Sequence, residues 1–217
     1  MLNNLEIVSV NFNTPDFIDR LVYSVLKREG KYPTRIIDGS NKEPYITQIK
    51  EVCSKYNYVQ LEQFGYNIHH GRGLDYAITS SAYDWVMCMD SDNYFIRPVL
   101  EAMYFACIEK QKKLCGYYCY VDENMIARPD RLEDHHHKIL YFHPSMFLIK
   151  KSFYMEMAKD NIKFMHHGAP AIRIAKYLRG KEHGLKLDEA LGFDYKDIRQ
   201  YVNLESRGTV NRFGYNL

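Results

Sequence analysis

Tyr83-Asp84-Trp85-Val86-Met87-Cys88-Met89-Asp90-Ser91-Asp92-Asn93 is a short apolar run that ends abruptly in two carboxylates one residue apart. Its length and composition predict a buried strand over Trp85–Met89, since strands of four to eight apolar residues are bounded by turn-forming residues. Carboxylates are costly to desolvate, so two at the mouth of a buried strand call for a compensating partner. A hard divalent cation such as Mn2+ or Mg2+ meets that need, because it takes oxygen ligands and bridges protein carboxylates to substrate phosphates. Asp-Ser-Asp-Asn is also a good polar turn in its own right. The surrounding sequence decides between these readings.

Upstream, Leu5–Asn11 reads as a buried strand, and Thr14-Pro15-Asp16 as a helix start with Thr14 as N-cap and proline in the first turn. Phe17, Ile18, Leu21, Val22 and Val25 follow at helical spacing up to Gly30. Thr34–Ser40 is a second strand running into a turn, a helix follows through Ile46–Cys53, and Tyr58–Leu61 is a third strand. The loop Phe64–His70 leads to a helix over Gly71–Ala82. Beyond the Trp85–Met89 strand come a helix through Val99–Glu109 and a strand through Leu114–Val121. Alternating strands and helices predict an α/β fold, Rossmann-like, with a mainly parallel central sheet flanked by helices on both faces. No repeat or low-complexity linker divides the 217 residues, so a single domain is expected. Residues 1–95 would form its first half, and residues 96–217 its second half and C-terminal tail.

A formal net charge of +2 gives no field suited to nucleic acid or an anionic membrane. The five cysteines are odd in number, and two lie inside apolar runs, as expected of reduced thiols in a cytoplasmic protein. The N-terminal residues lack the basic and apolar regions of a signal peptide, and no apolar run is long enough to be a transmembrane segment, so a soluble protein is expected. Some of the nineteen tyrosines are candidates to line a groove.

Ligands of mainly parallel sheets bind beyond the carboxyl ends of the strands. That rule gathers Asn11 and Asn13, Asp38, and Asp90 with Asp92 into one place. The loop Gly65–Gly73 adds glycines that permit close backbone approach, and Arg72, a side chain suited to phosphate. Together they describe a site for a nucleoside diphosphate and a metal ion.

Val8–Pro15, then Ile36–Ser40, then Asn67 with Gly71–Ala77, then Met89–Asp92, in this order, resemble family 2 glycosyltransferases of the GT-A fold. The resemblance implies a nucleotide-sugar donor, a UDP-sugar foremost, and a glycan, lipid-linked or protein-linked acceptor. It implies that Asp38 contacts the base, that Asn11 and Asn13 lie under base and ribose, and that Arg72 and Asp75 sit beside ribose and diphosphate. It further implies a DXD motif in Asp90-Ser91-Asp92, with Ser91 among the donor contacts and Asp90 and Asp92 as metal ligands. The family's later acidic pair is not evident. Near its place stands His166-His167-Gly168 at a probable helix start, which makes His167 the candidate base for the acceptor hydroxyl. Asp134, ahead of the His135–His137 run, is the second candidate, and Asp188 a further one. The tail, where many GT-A enzymes supply a histidine to the metal, has none here, leaving Asn203 or Glu205 as substitutes. Arg207, Arg212 and Tyr215 are placed to close over the diphosphate.

Two other classes share parts of this pattern. A nucleotidyltransferase would be expected to carry a glycine-rich basic loop directly after the first strand, which Asn11-Phe12-Asn13-Thr14-Pro15 is not. A non-catalytic nucleotide-sugar- or carbohydrate-binding protein would not need the intact Asp90-Ser91-Asp92.

Overall fold

The first strand, β1 (Leu5–Asn11), is covered on both faces: Leu5, Ile7 and Val8 expose no surface. A strand so placed needs helices above and below, and the chain supplies them in turn. The computed structural model describes residues 2–121, 139–165, 170–179, 190–193, 195–205 and Arg212. After β1 come α1 (Pro15–Ser24), β2 (Thr34–Asp38), α2 (Tyr45–Ser54), β3 (Val59–Gln63), α3 (His70–Ser80) and β4 (Trp85–Met89). Then follow β5 (Tyr94–Phe95), α4 (Leu100–Glu109), β6 (Leu114–Val121), β7 (Ile139–Lys150) and α5 (Lys151–Lys159). The described elements end with α6 (Ile172–Arg179), β8 (Ala190–Phe193), α7 (Tyr195–Ile198) and β9 (Val202–Asn203).

The main sheet runs β3-β2-β1-β4-β7-β6-β8. Strands β1 to β4 are mutually parallel, as the alternation of strand and helix predicts. Between β4 and β6 the sequence order predicts nothing unusual, yet β7 is inserted there, antiparallel to both neighbours. A strand that pairs antiparallel to its predecessor needs no helical crossover, and β7 follows β6 without one among the described residues. The result is a mainly parallel sheet with one reversed strand, and β8 restores parallel pairing at the far edge.

Alternation along the strands divides the core. Ile7, Ile36, Trp85, Met87 and Leu148 pack under α1, α2 and α4. Val8, Ile37, Val86, Cys88 and Ile149 pack under α3, α5 and α6. Thr14 does not cap α1 with its side chain; its hydroxyl donates to Asn11 Oδ1 at 2.6 Å instead. Helix α1 widens into one π turn over Val25–Glu29, closed by Gly30 N–H donating to the Val25 carbonyl at 2.9 Å. A second, two-stranded sheet joins β5 to β9. Two-residue strands carry no periodicity, so the sequence gives no sign of it.

One charged cluster lies inside this frame. Arg35 on β2 donates to Glu6 at 3.1 Å, to Glu62 at 3.2 Å and to Ser80 Oγ at 2.8 Å, and also to the Ala77 carbonyl. Burial pushes the Glu6 carboxyl up, and Ser81 and Arg35 only partly offset it. Breaking such a pair from one side strands a buried charge. Arg35→Met should therefore lower the unfolding free energy by about 3–5 kcal/mol. Adding Glu6→Leu to the same chain should recover most of that loss, as urea titration of the three proteins would show.

Candidate active site

The parallel register sets the carboxyl ends of β1, β2 and β3 side by side, Asn11 against Asp38 and Asp38 against Gln63. Asp38 exposes no surface. Its Oδ1 accepts from Asn11 Nδ2 at 2.8 Å, Ser40 Oγ at 2.7 Å and Ser40 N–H at 3.2 Å, and its Oδ2 accepts from Gln63 Nε2 at 3.1 Å. Four donors offset the cost of burying this carboxylate. Asn11 and Ser40 are buried with it, each 1% exposed, and Gln63 is half-buried at the edge of the same cluster. Asn13, at φ 55°, donates its backbone N–H to Ser40 Oγ at 2.9 Å and exchanges side-chain contacts with Asn41. Asparagine is among the few residues that tolerate this left-handed geometry.

At the end of β4, Asp90 donates its N–H to the Ser145 carbonyl of β7 at 2.8 Å, and Asn93 Nδ2 donates to the same oxygen at 2.8 Å. Asp90 Oδ1 faces His70 Nε2 at 2.9 Å. Both atoms are buried, and the N–H is too poorly aligned for this contact to be a hydrogen bond. Burial pushes the Asp90 carboxyl up, but the adjacent His70 outweighs it and holds it below the ordinary range. Burial lowers His70 in the same way, and the charges of Asp90 and Asp92 more than reverse it. Ser91 and Asp92 are buried, each 6% exposed.

Beside them, His143 on β7 stacks on Tyr117 with ring centres 5.1 Å apart. Ser145 N–H donates to His143 Nδ1 at 3.2 Å, so the neutral ring carries its proton on Nε2. Burial pushes this imidazole down to about 4, with Asp90 only partly countering it.

Helix α3 enters this floor. Its glycines serve packing: a Cβ on Gly71 would lie 1.6 Å from the Met165 carbonyl oxygen, and one on Gly73 would lie 2.7 Å from Val10 methyls. Arg72 is exposed in the first turn. Asp75 accepts from Tyr154 Oη at 2.7 Å and lies 3.8 Å from Lys163 Nζ, which ties it to α5.

The Asp90-Ser91-Asp92 turn is held by Arg20 of α1. Its guanidinium donates to the Asp92 carbonyl at 2.9 Å, grips Glu205 at 3.0 and 2.9 Å, and lies 4.6 Å from the Tyr94 ring centre. Glu205, expected as a possible metal ligand, also accepts from Asn203 at 3.1 Å. Arg212 makes a bidentate pair with Asp16 at 2.7 and 2.8 Å, on α1 rather than over the site. His167, Asp134, Asp188, Arg207 and Tyr215 lie outside the described residues. Among the described residues, no three His, Cys, Asp or Glu side chains gather closely enough to hold a metal by themselves.

Residues 6–177 match the model of glycosyl transferase family 2. The chain belongs to this family. Comparison with curated proteins finds no match. Among solved structures, S. aureus TarS 1–349 in complex with UDP-GlcNAc is similar with a TM-score of 0.63 at 13% identity, over 94% of this chain and 59% of that one. S. aureus TarS itself gives 0.62 at 14% identity, over 92% and 36%. The mannosyltransferase PcManGT from Pyrobaculum calidifontis, in complex with GDP-Man and Mn2+, gives 0.60 at 10% identity, over 88% and 55%. At these identities the likeness is one of fold, and it is the GT-A fold. The chain spans between 36% and 59% of the length of these structures.

Two polar residues of this family 2 site escaped the sequence. His70 sat unremarked in a glycine- and histidine-rich loop, since its contact with Asp90 is made by tertiary packing across the start of α3. His143 reads as a strand residue, and only the antiparallel register, Met89 against Met146, brings its neighbourhood to Asp90. Neutral in the fold and protonated below about 6.5 when unfolded, His143 makes stability fall as pH drops from about 6.5 towards 4. The gap is worth about 3 kcal/mol. In His143→Asn, whose Oδ1 replaces Nδ1 as acceptor without titrating, urea midpoints at pH 7.5 and 4.5 should lie correspondingly closer together than in wild type.

Proposed function

We propose that this protein is a glycosyltransferase that moves a sugar from a nucleoside-diphosphate sugar, a UDP-sugar foremost, to a hydroxyl of a glycan, lipid-linked or protein-linked acceptor. The observation that carries this reading is the Asp90-Ser91-Asp92 turn at the end of β4, set beside the start of α3 in a family 2 chain.

In this reading the nucleobase and ribose lie on the rim of Asn11, Asn13, Ser40 and Gln63 that Asp38 organises. The diphosphate lies at the start of α3, where unpaired N–H groups and the helix dipole favour an anion, with Arg72 in the same turn. Mn2+ or Mg2+ would be held by Asp90 and Asp92. The buried Asp90 Oδ1, which makes no aligned hydrogen bond, and the all-oxygen carboxylate pair fit such an ion. When bound, the ion neutralises charge that develops on the leaving diphosphate. His143 offers an Nε2–H donor at the same floor. The proton of the acceptor hydroxyl is assigned to His167, with Asp134 as the alternative.

A cytoplasmic setting accords with the free, buried thiols of Cys53, Cys88, Cys107 and Cys115. Among the described residues no helix is long and apolar enough to cross a membrane.

A panel of nucleotide sugars with and without Mn2+, read by thermal shift, would identify the donor, because a ligand that binds the native state raises its melting temperature. With that donor, Asp92→Ala should lose about 100-fold or more in transfer or donor hydrolysis while its melting temperature stays near wild type. Equal turnover by the two proteins would remove the reading. Asp38→Ala should weaken binding of the preferred nucleoside diphosphate by about 1–3 kcal/mol. Unchanged affinity in calorimetry would leave Asp38 a turn residue alone.

A further inference from the structure

We propose that His70 joins Asp90 as a direct ligand of the divalent cation, so that this chain supplies a nitrogen donor from the start of α3. The inference rests on the metal-binding reading of the DXD turn and adds a residue to it.

The geometry of the His70–Asp90 contact is the first support. Nε2 and Oδ1 are 2.9 Å apart and both buried, yet the pair is misaligned for a hydrogen bond. Two ligands at right angles on an octahedral ion, each about 2.1 Å from it, are themselves about 3 Å apart. The two atoms thus already stand at the separation of neighbouring ligands.

The ring is also placed deliberately. His69 holds φ 61° and ψ 149°, a conformation a non-glycine residue keeps only when its surroundings enforce it. Asn67 Oδ1 accepts from the His69 N–H at 2.9 Å, and the His69 carbonyl accepts from Gly73 N–H at 2.8 Å. Gly71 abuts the Met165 backbone, which packs the first turn of α3 closely against the segment after α5. The tail offers no easy substitute, because both Glu205 oxygens are engaged by Arg20. Two or three protein ligands suffice, since such ions keep waters and take phosphate oxygens for the rest. A nitrogen donor favours Mn2+ or Co2+ over Mg2+.

Pulsed EPR of the Mn2+-loaded protein reports directly bound imidazole as 14N modulation, with no need for turnover. We expect this modulation in wild type, its loss in His70→Gln together with a Mn2+ dissociation constant raised about tenfold or more, and its retention in His143→Asn. Bound Mn2+ without 14N modulation in wild type would overturn the proposal, and this measurement requires no variant to fold. Modulation that persists in His70→Gln, or failure of Mn2+ to bind with or without UDP, would overturn it as well. If the metal behaves as expected but no nucleotide sugar is turned over, the donor reading fails and the ligand assignment stands.

Discussion

A carboxylate taken out of water at the end of a strand must find donors or a cation, and the layout of this molecule follows from meeting that requirement twice. Asp38 meets it with neutral donors from two neighbouring strand ends and the turn after β2. Asp90 meets it with an imidazole carried on the preceding helix, α3. The first solution is saturated and inward; in the second a ring and a carboxylate meet off-axis, 2.9 Å apart. Under the proposed function, the first would serve as a rigid rim for a nucleobase and the second as a floor where charge changes during reaction.

The sheet supports that division. Its parallel part, β3 to β4, aligns strand ends in register and so creates the rim. The reversed strand β7 brings backbone instead: the Ser145 carbonyl anchors Asp90 and Asn93, and its N–H fixes the ring of His143. Parallel strands arrive at the site with their carboxyl ends, whereas β7 runs past it. That lets one strand contribute main-chain groups and a side chain at several points along its length.

Much of this was legible in the residues. The apolar run Trp85–Met89 is the strand as expected, and Leu5–Asn11 likewise, because a strand buried on both faces leaves a continuous apolar stretch. The motif order was enough to give the family and the fold. What escaped depends on contacts distant in sequence. The reversed pairing of β7 leaves no mark on its composition. The glycines of α3, taken as room for a ligand, make room for Val10 and Met165. Thr14 has the residue type of an N-cap, but Asn11, itself bonded to Asp38, competes for its hydroxyl. His70 acquires its significance only once α3 is docked against β4.

The clasp of Arg20 by Glu205 spans 185 residues of sequence, and that of Asp16 by Arg212 spans 196. At ribosomal speeds of about 5–20 residues per second, α1 waits on the order of ten to forty seconds for its partner. During that interval the core strands can already pair, but Arg20 is not yet held against the Asp92 carbonyl by Glu205. A nascent protein of this kind acquires its shape before its chemistry. Until Glu205 is made, the Asp92 carbonyl can be reached by Arg20 but lacks the brace that Glu205 provides.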